Sequence, residues 1–555
     1  NASYSPYTDQ NYPTNVYFGD THLHTNLSAD AFVVGRNTNL GLSEAYRFAK
    51  GDTIVSNNGR NARMSRSLDF LVVADHGYNI GFFNALMIGD PEVLQSAFAR
   101  KLRADIQKGP ADAMDVLSDV LQRSWGDPKV YQEIEKLFDN PPFRKSIWKE
   151  ITDAADKYND PGKFTAFSGY EWTAPGSLHR VVIFKDYSDK VSQVIPFSKY
   201  DSPAPESLWE YLKEYEYKIG GEVLAIPHNS NLSGGKTFAP VNSQGHPFSL
   251  AYAETRSRWE PLVEVTQIKG DSEAHLDLSP TDEFANYETW DSPGTEKEYE
   301  YARSALKLGI EQQAQLGVNP FKFGMIGSTD SHTSLSAIDE DNFWGKLALT
   351  EPSSRRILVP WASAEGFPGW RLNAAGYAAV WATGNTREAL FAAMKRKETY
   401  ATTGPRMTVR FFGGWEYETD DALKPDLARI GYDKGVPMGG DLTNAPRGKW
   451  PTFLIRAVKD PDGANLDRVQ IIKGWHDKNG ELHEKVYNVA LSDGRKENRK
   501  GNVKPVGNTV DTTDASYTNS IGDPELAVVW TDPNFDKHEL AFYYVRVLEI
   551  PTPRW

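Results

Sequence analysis

Cysteine is absent from all 555 residues. That excludes disulfides, thiolate metal ligands and a cysteine nucleophile. No run of about 18 apolar residues occurs, so no transmembrane helix is expected. Basic residues are outnumbered, with 61 Lys and Arg against 75 Asp and Glu and a formal net charge of −14. Nucleic acid and anionic membrane surfaces need a basic footprint and are excluded as main partners, whereas a local basic pocket for a small anionic substrate is not. No Gly-x-Ser-x-Gly elbow marks a serine hydrolase, and neither an internal repeat nor a low-complexity tract is visible. The chain opens at Asn1 without an initiator Met. A removed export leader is the expectation, hence a periplasmic or secreted protein, with the cytoplasm as the alternative. No feature sets an oligomeric state.

What is present is enough apolar residue, 39% of the chain, to bury roughly two to four domains' worth of core. A unit recurs along the first 404 residues, in which an apolar or β-branched run is flanked by polar, metal-capable side chains. Val16–Phe18 runs into Asp20, His22 and His24, and Leu68–Val73 into Asp75 and His76. Phe164–Tyr170 ends at Glu171, His179 precedes Val181–Phe184, and Val223–Ile226 ends at His228. Leu262–Val265 contains Glu264, and Phe323–Ile326 leads to Asp330 and His332. Amphipathic segments at Leu42–Ala49 and Pro205–Tyr217 separate some of these runs. Strands alternating with helices predict parallel strands joined by crossovers, with the chemistry at their C-terminal ends.

Residues 83–160 break the rhythm with polar helical segments (Pro91–Ile106, Ala113–Ser124, Val130–Phe138) and the pair Pro141-Pro142. They read as a helical insertion on the site side, a cover or a lid. Beyond Gly404 the pattern becomes short alternating strands at Met407–Phe412, Thr452–Val458, Val469–Lys473, Leu526–Thr531 and Leu540–Leu548. Residues 405–555 therefore read as a C-terminal β-sandwich domain.

Residues two apart on a strand share a face, so His22 and His24 can reach one ion or two neighbouring ions. Asp330-Ser331-His332 repeats that geometry, and Asp75-His76 adds a pair. Six of the eleven histidines (His22, His24, His76, His179, His228 and His332) sit at strand ends beside carboxylates. Together they point to a metal site more strongly than any one does. His246, His275, His476, His483 and His538 lack that context. Oxygen and imidazole donors without sulfur suit Zn or Mn, with Fe as a third option, and the number of donors calls for two or three divalent ions. Clustered ions bind a bridging water, lower its pKa and clamp phosphoryl oxygens.

In this order the motifs resemble the polymerase and histidinol phosphatase (PHP) superfamily, in an exported branch described mainly as a domain of unknown function. The resemblance implies a distorted (β/α)7 barrel over residues 1–404 with a trinuclear metal site. It matches His22-Leu23-His24-Thr25 followed by Asp30, then Asp75-His76 with His76 as the ligand. It further matches Glu171 as the bridging carboxylate, His179, His228, and the closing Asp330-Ser331-His332. The ligand set it implies is His22, His24, Asp30, His76, Glu171, His179, His228, Asp330 and His332. The long helical insertion and the C-terminal β-domain depart from compact members of the superfamily.

Around that set, Asp75, Asp20 and Asn229 are candidate catalytic or orienting groups, and Lys236, Arg180 and Arg406 candidate substrate contacts. Lys236 stands in a Gly-rich loop, Asn231–Lys236, that does not match a P-loop. Glu264 reads as structural. The expected activity is metal-dependent hydrolysis of a small phosphate monoester or diester by a metal-bridging hydroxide. The same ligands would equally serve an amide, a lactone or a sulfate ester. The rival of another class is a non-catalytic glycan- or partner-binding protein.

Overall fold

The computed structural model describes residues 12–108, 113–126, 132, 140–290, 296–354, 356–358, 369–499 and 501–554. The first strand, β1 (Asn15–Leu23), leads through the short helix α1 (Ala29–Val33) and α2 (Leu42–Ala49) to β2 (Phe70–Val73). Helices α3 (Phe82–Ile88), α4 (Ala97–Lys108), α5 (Ala113–Gly126) and α6 (Pro141–Tyr158) follow. The strands β3 (Thr165–Ala174) and β4 (Leu178–Phe184), helix α7 (Pro205–Ile219) and β5 (Val223–His228) come next. Helix α8 (Leu250–Trp259), β6 (Leu262–Gln267), α9 (Ala302–Leu316) and β7 (Gly324–Gly327) precede β8 (Tyr377–Ala382), α10 (Arg387–Arg396) and β9 (Thr399–Thr402).

These elements build a mixed α/β unit around a curled seven-stranded sheet ordered β9-β8-β1-β2-β3-β4-β5. The parallel β6–β7 pair and the short strand Gly270–Asp271 form a separate sheet, with β6 beside β5 and β7 beside β9. The expectation of parallel strands holds for β1–β2, β2–β3 and β6–β7. It fails for β3–β4, β4–β5, β1–β8 and β8–β9, which are antiparallel. The cause at β4 is local. Only Pro175, Gly176 and Ser177 separate it from β3. Gly176 and Ser177 take left-handed conformations, φ +75° and +56°, which suit a tight reversal and not a crossover. His179 consequently stands at the start of its strand, yet on the same rim as the ends of β3 and β5.

Strand periodicity divides the unit into two cores. Leu71, Val73, Tyr170, Trp172, Val182, Phe184, Val223 and Ala225 face outward and pack under α2, α6 and α7. Phe70, Val72, Phe167, Val181, Ile183, Leu224, Ile226, Leu262 and Ile326 face inward, closed below by α10. Glu171, His179, His228 and Glu264 share the inward parity of Phe167, Val181, Ile226 and Leu262. One face thus carries apolar side chains at one end and chemistry at the other. In β1 the register shifts between Asp20 and Leu23, an irregularity of the kind that re-aims side chains beside sites.

The helical segment is not uniform. Its last helix, α6, inserts Trp148, Ile151 and Ala155 into the outward core of the sheet, so it is the crossover between β2 and β3. Pro141 and Pro142 open that helix, where missing N–H groups cost nothing. Helices α3, α4 and α5 form their own cluster with α1. The predicted helix Val130–Phe138 lies outside the described residues. No helix among the described residues is long and apolar enough to cross a membrane.

Beyond residue 405, β10 (Thr408–Gly414), helix α11 (Leu427–Lys434), β11 (Gly435–Pro437), β12 (Thr452–Val458), β13 (Leu466–His476), β14 (Leu482–Leu491), β15 (Glu525–Thr531) and β16 (Leu540–Glu549) form two antiparallel sheets. Their orders are β11-β10-β12-β15 and β14-β13-β16. Val409, Phe411, Phe453, Ile455 and Ala457 of one sheet share a core with Val469, Ile471, Val545 and Val547 of the other. Helix α11 and strands β11 and β14 have no counterpart in the sequence reading.

Candidate metal centre

The inward rim gathers residues from seven parts of the chain. His22 and His24 come from the end of β1, Asp30 from α1 and His76 from the turn after β2. Glu171 comes from β3, His179 and His228 from β4 and β5, and His332 from the loop after β7. All but Asp30 and His179 are buried. Their donor atoms form overlapping groups, each within 4.8 Å: His24, Asp30, His76 and His332; His22, His24 and Glu171; Glu171, His179 and His228; and His22, His228 and Glu264. Glu171 is the centre. Its Oε1 lies 2.6 Å from His179 Nδ1 and 3.1 Å from His228 Nε2. Its Oε2 lies 3.0 Å from His76 Nδ1 and 3.2 Å from His24 Nε2.

Hydrogen bonds settle which imidazole nitrogens face inward. Ser28 Oγ donates its one proton to Asp75 Oδ1 at 2.7 Å, so it accepts from His24 Nδ1, also at 2.7 Å. His24 therefore presents a bare Nε2. On the other side, Glu264 Oε2 accepts from His22 Nδ1 at 3.0 Å. The two Nε2 atoms stand 3.0 Å apart. Two lone pairs at that distance repel unless a cation lies between them. Burial pulls His24 down to about 4. Burial also opposes the charge on His22, but Glu264 and Glu171 outweigh it and raise His22 to about 9, so in the bare protein the cation is a proton. A metal ion fits the same gap: at metal–nitrogen distances of about 2.0–2.1 Å, nitrogens this far apart subtend roughly 91–97° at one ion.

Charge supports the same reading. Burial would push Asp30 and Glu171 up, yet both are held well below the usual carboxylate range. His332 and His76 do this for Asp30, and His76, His179 and His228 for Glu171. A compact set of ionised carboxylates and imidazoles, with outer partners that fix the tautomers, is donor chemistry that could hold divalent metal ions.

Other predicted residues fall in different places. Asp330 belongs to none of the four groups. It is buried in a left-handed conformation, φ +52°. Lys346 Nζ lies 2.6 Å from its Oδ1, and Lys269 pairs with its Oδ2. Oδ1 remains 3.4 Å from His24 Nε2, so this carboxylate reaches an ion only by sharing a lysine. Asp75 faces Thr25 and Ser28, not the cavity, and acts on His24 through Ser28. Asp20 is buried, accepts from the backbone N–H of His22 and Thr329, and is raised to about 7 by burial; it holds the ends of β1 and β7 together. Asn229 accepts from Gln267 and lies 3.4 Å from His179 Nδ1.

The three candidate substrate contacts divide. Arg180 has the outward parity of Val182 and is bonded to Glu260 at 2.9 Å, away from the rim. Arg406 donates to the carbonyls of Ser67 and Arg66 at 2.7 and 2.8 Å, at the N-terminal end of β2, opposite His76. Lys236 is exposed above the β3–β4 turn, where a Cβ on Gly176 would meet its Nζ at 2.7 Å.

Two residues escaped the sequence reading, and a third, Glu264, was read as structural. Lys269 and Lys346 carry no spacing signal, although Lys346 stands between Trp344 and Leu347. Glu264 was legible in principle, as a carboxylate in the middle of a buried apolar strand. Glu264→Gln should weaken metal binding about 10- to 100-fold with unchanged folding, the usual loss for an outer partner of a ligating histidine. Competitive titration with a fluorescent chelator checks this; unchanged affinity would show that the His22 tautomer is set elsewhere.

A family model described as "Protein of unknown function (DUF3604)" matches residues 11–555. Nothing among curated proteins matches the chain. Among solved structures, it is similar to a two-domain protein from Bacteroides vulgatus containing a predicted PHP-like metal-dependent phosphoesterase. That similarity is 12% identity over 93% of this chain and 94% of that one, with a TM-score of 0.30.

Proposed function

The chain belongs to the DUF3604 family of unknown function, and from that premise we propose that it is a metal-dependent hydrolase acting on small phosphoesters. The observation that carries the proposal is the pair of His22 and His24 Nε2 atoms, 3.0 Å apart, with both Nδ1 atoms committed elsewhere. The proposed ligands are His22, His24, Asp30, His76, Glu171, His179, His228 and His332, with Asp330 sharing its charge with lysine. We read the curled sheet and the β6–β7 pair together as a distorted PHP-like barrel, and the overlapping groups as places for two or three ions.

Bound ions would supply Lewis-acid neutralisation of a phosphoryl oxygen and an acidified water. The chain's own residues do the rest. Glu264 and the Ser28–Asp75 pair hold His22 and His24 with bare nitrogens inward. Asn229 braces His179 from the strand end. Lys269 pairs with Asp330 beside the donor groups, its side chain 13% exposed, and offers N–H donors to a non-bridging phosphoryl oxygen. Lys346, fully buried behind it, balances Asp330 when Lys269 turns to substrate. Burial pulls both lysines down, Lys269 well below its ordinary range and Lys346 to about 7, so each gains full charge only beside an anion, which favours an anionic ester over a neutral amide or lactone.

Metal analysis with a chromogenic panel tests this. The purified protein should carry two or three equivalents of transition metal. Chelation should remove them and lower phosphoester turnover by at least about 100-fold, and Mn or Zn should restore it. Turnover that survives in metal-stripped protein, or a metal-free protein that takes up no ion, would sink the proposal.

A further inference from the structure

Lys199 is a half-buried cation with no carboxylate beside it among the described residues. Burial is the one influence on its ammonium, pulling it to about 8, so it stays largely charged at neutral pH. Its described contacts are ring faces: Nζ lies 4.0 Å from the Tyr78 centroid and 5.7 Å from that of Tyr200. A ring face compensates a desolvated ammonium only in part. Elsewhere in this acidic chain, buried lysines meet carboxylates, as Lys473 meets Asp532 at 2.7 Å.

The place of Lys199 matters. Tyr78 is 4% exposed, and its ring lies 5.0 Å from that of His76. Lys199 is therefore one ring removed from His76 of the candidate metal centre. The next residue in each loop closes the arrangement. Tyr200 Oη donates to Asn79 Oδ1 at 2.8 Å. Asn79 is fully buried in a left-handed conformation, φ +56°. Its Nδ2 is buried and donates to no acceptor. An amide N–H₂ without an acceptor carries a desolvation penalty that native sites seldom leave standing. Two loops, one after β2 and one after β4, thus bring an ammonium and an unsatisfied amide donor to the neighbourhood of Tyr78 and Tyr200, next to the candidate metal centre, and no carboxylate among the described residues answers either.

We propose that Lys199 and Asn79 form a second anion subsite, which takes a carboxylate or phosphate that the substrate carries in addition to its scissile phosphoryl group. This rests on the phosphoester reading and narrows it to esters with two acidic groups.

Calorimetry on the metal-loaded protein distinguishes the two readings, with 3-phosphonopropionate, ethylphosphonate and succinate as probes. The wild-type protein should bind 3-phosphonopropionate at least tenfold more tightly than ethylphosphonate. Lys199→Gln should erase that preference and leave ethylphosphonate binding within twofold. Asn79→Asp should do the same. It keeps an acceptor for Tyr200 and the tolerance of positive φ, and replaces the donor with a charged oxygen that repels an acidic group. A preference that survives both variants, a wild type that does not discriminate, or equal weakening of both phosphonates would overturn the subsite. If ethylphosphonate does not bind the wild type, the phosphoester reading fails alone. Succinate then decides the subsite, supported by a tenfold loss of affinity in Lys199→Gln and overturned by none.

Discussion

Glu171→Gln should lower turnover by at least about 1000-fold and cost the protein at least one bound ion, a larger effect than the ten- to hundredfold loss of an outer partner. The reason lies in how many groups one carboxylate serves. Five imidazoles surround it: those of His179 and His228 on Oε1, and those of His76, His24 and His22 on Oε2 at 3.0, 3.2 and 3.5 Å. It belongs to two of the donor groups at once. Buried as it is, it would hold a proton, were it not for His76, His179 and His228. An amide of the same shape removes the charge and turns an N–H₂ toward nitrogens that need an acceptor or an ion. Glu171→Asp keeps the charge but withdraws it by one methylene, so its losses should be intermediate. Metal stoichiometry and initial rates at saturating metal check the series, with near-ultraviolet circular dichroism as the fold control. Full metal content with rates within tenfold of wild type would remove Glu171 from the centre.

That centre was readable where its chemistry follows a period. His22 and His24 sit two apart, so alternation placed them on one face, while Glu171, His179 and His228 were legible only as ending or beginning apolar runs. The orientation of β4 was not read, although Pro175-Gly176-Ser177 is too short for a crossover and announces a hairpin. Helix α6 was assigned to the insertion because its amphipathic stripe says that it packs, not against what. Lys269 and Lys346 could not be found by pattern, because they reach Asp330 from loops 61 and 16 residues away in sequence. Asp330 illustrates the general limit. Its motif and spacing matched, but whether a carboxylate meets an ion or an ammonium depends on long-range contacts that leave no period in the sequence. Arg406 and Arg180 failed for the complementary reason: proximity in sequence to a motif says nothing about which end or face of a strand a long side chain takes.

Arg303→Met should destabilise the protein by about 3–5 kcal/mol, the cost of leaving buried carboxylates without their partner. Arg303, on α9, is 1% exposed. It bonds Glu273 at 2.6 Å and Asp282 at 2.8 Å in its own half, and Glu484 of β14 at 3.2 Å and Tyr544 of β16 at 2.8 Å in the other. Arg546 of β16 returns to Glu273 and Asp282 at 3.1 and 2.6 Å. Both guanidiniums are forked across the same two carboxylates, an arrangement that lysine cannot reproduce. The two C-terminal sheets are therefore joined to the α/β unit through a buried network. Removing one arginine leaves two acids sharing the other. Chemical denaturation should show a lowered first midpoint and a second transition as the halves separate, because the network spans their boundary. The double variant Arg303→Met, Glu273→Gln should recover part of the loss, since the uncompensated charge goes with the second change. An unmoved midpoint would mean that the network is neutral in energy and that the sandwich is held to the α/β unit by its apolar contacts alone.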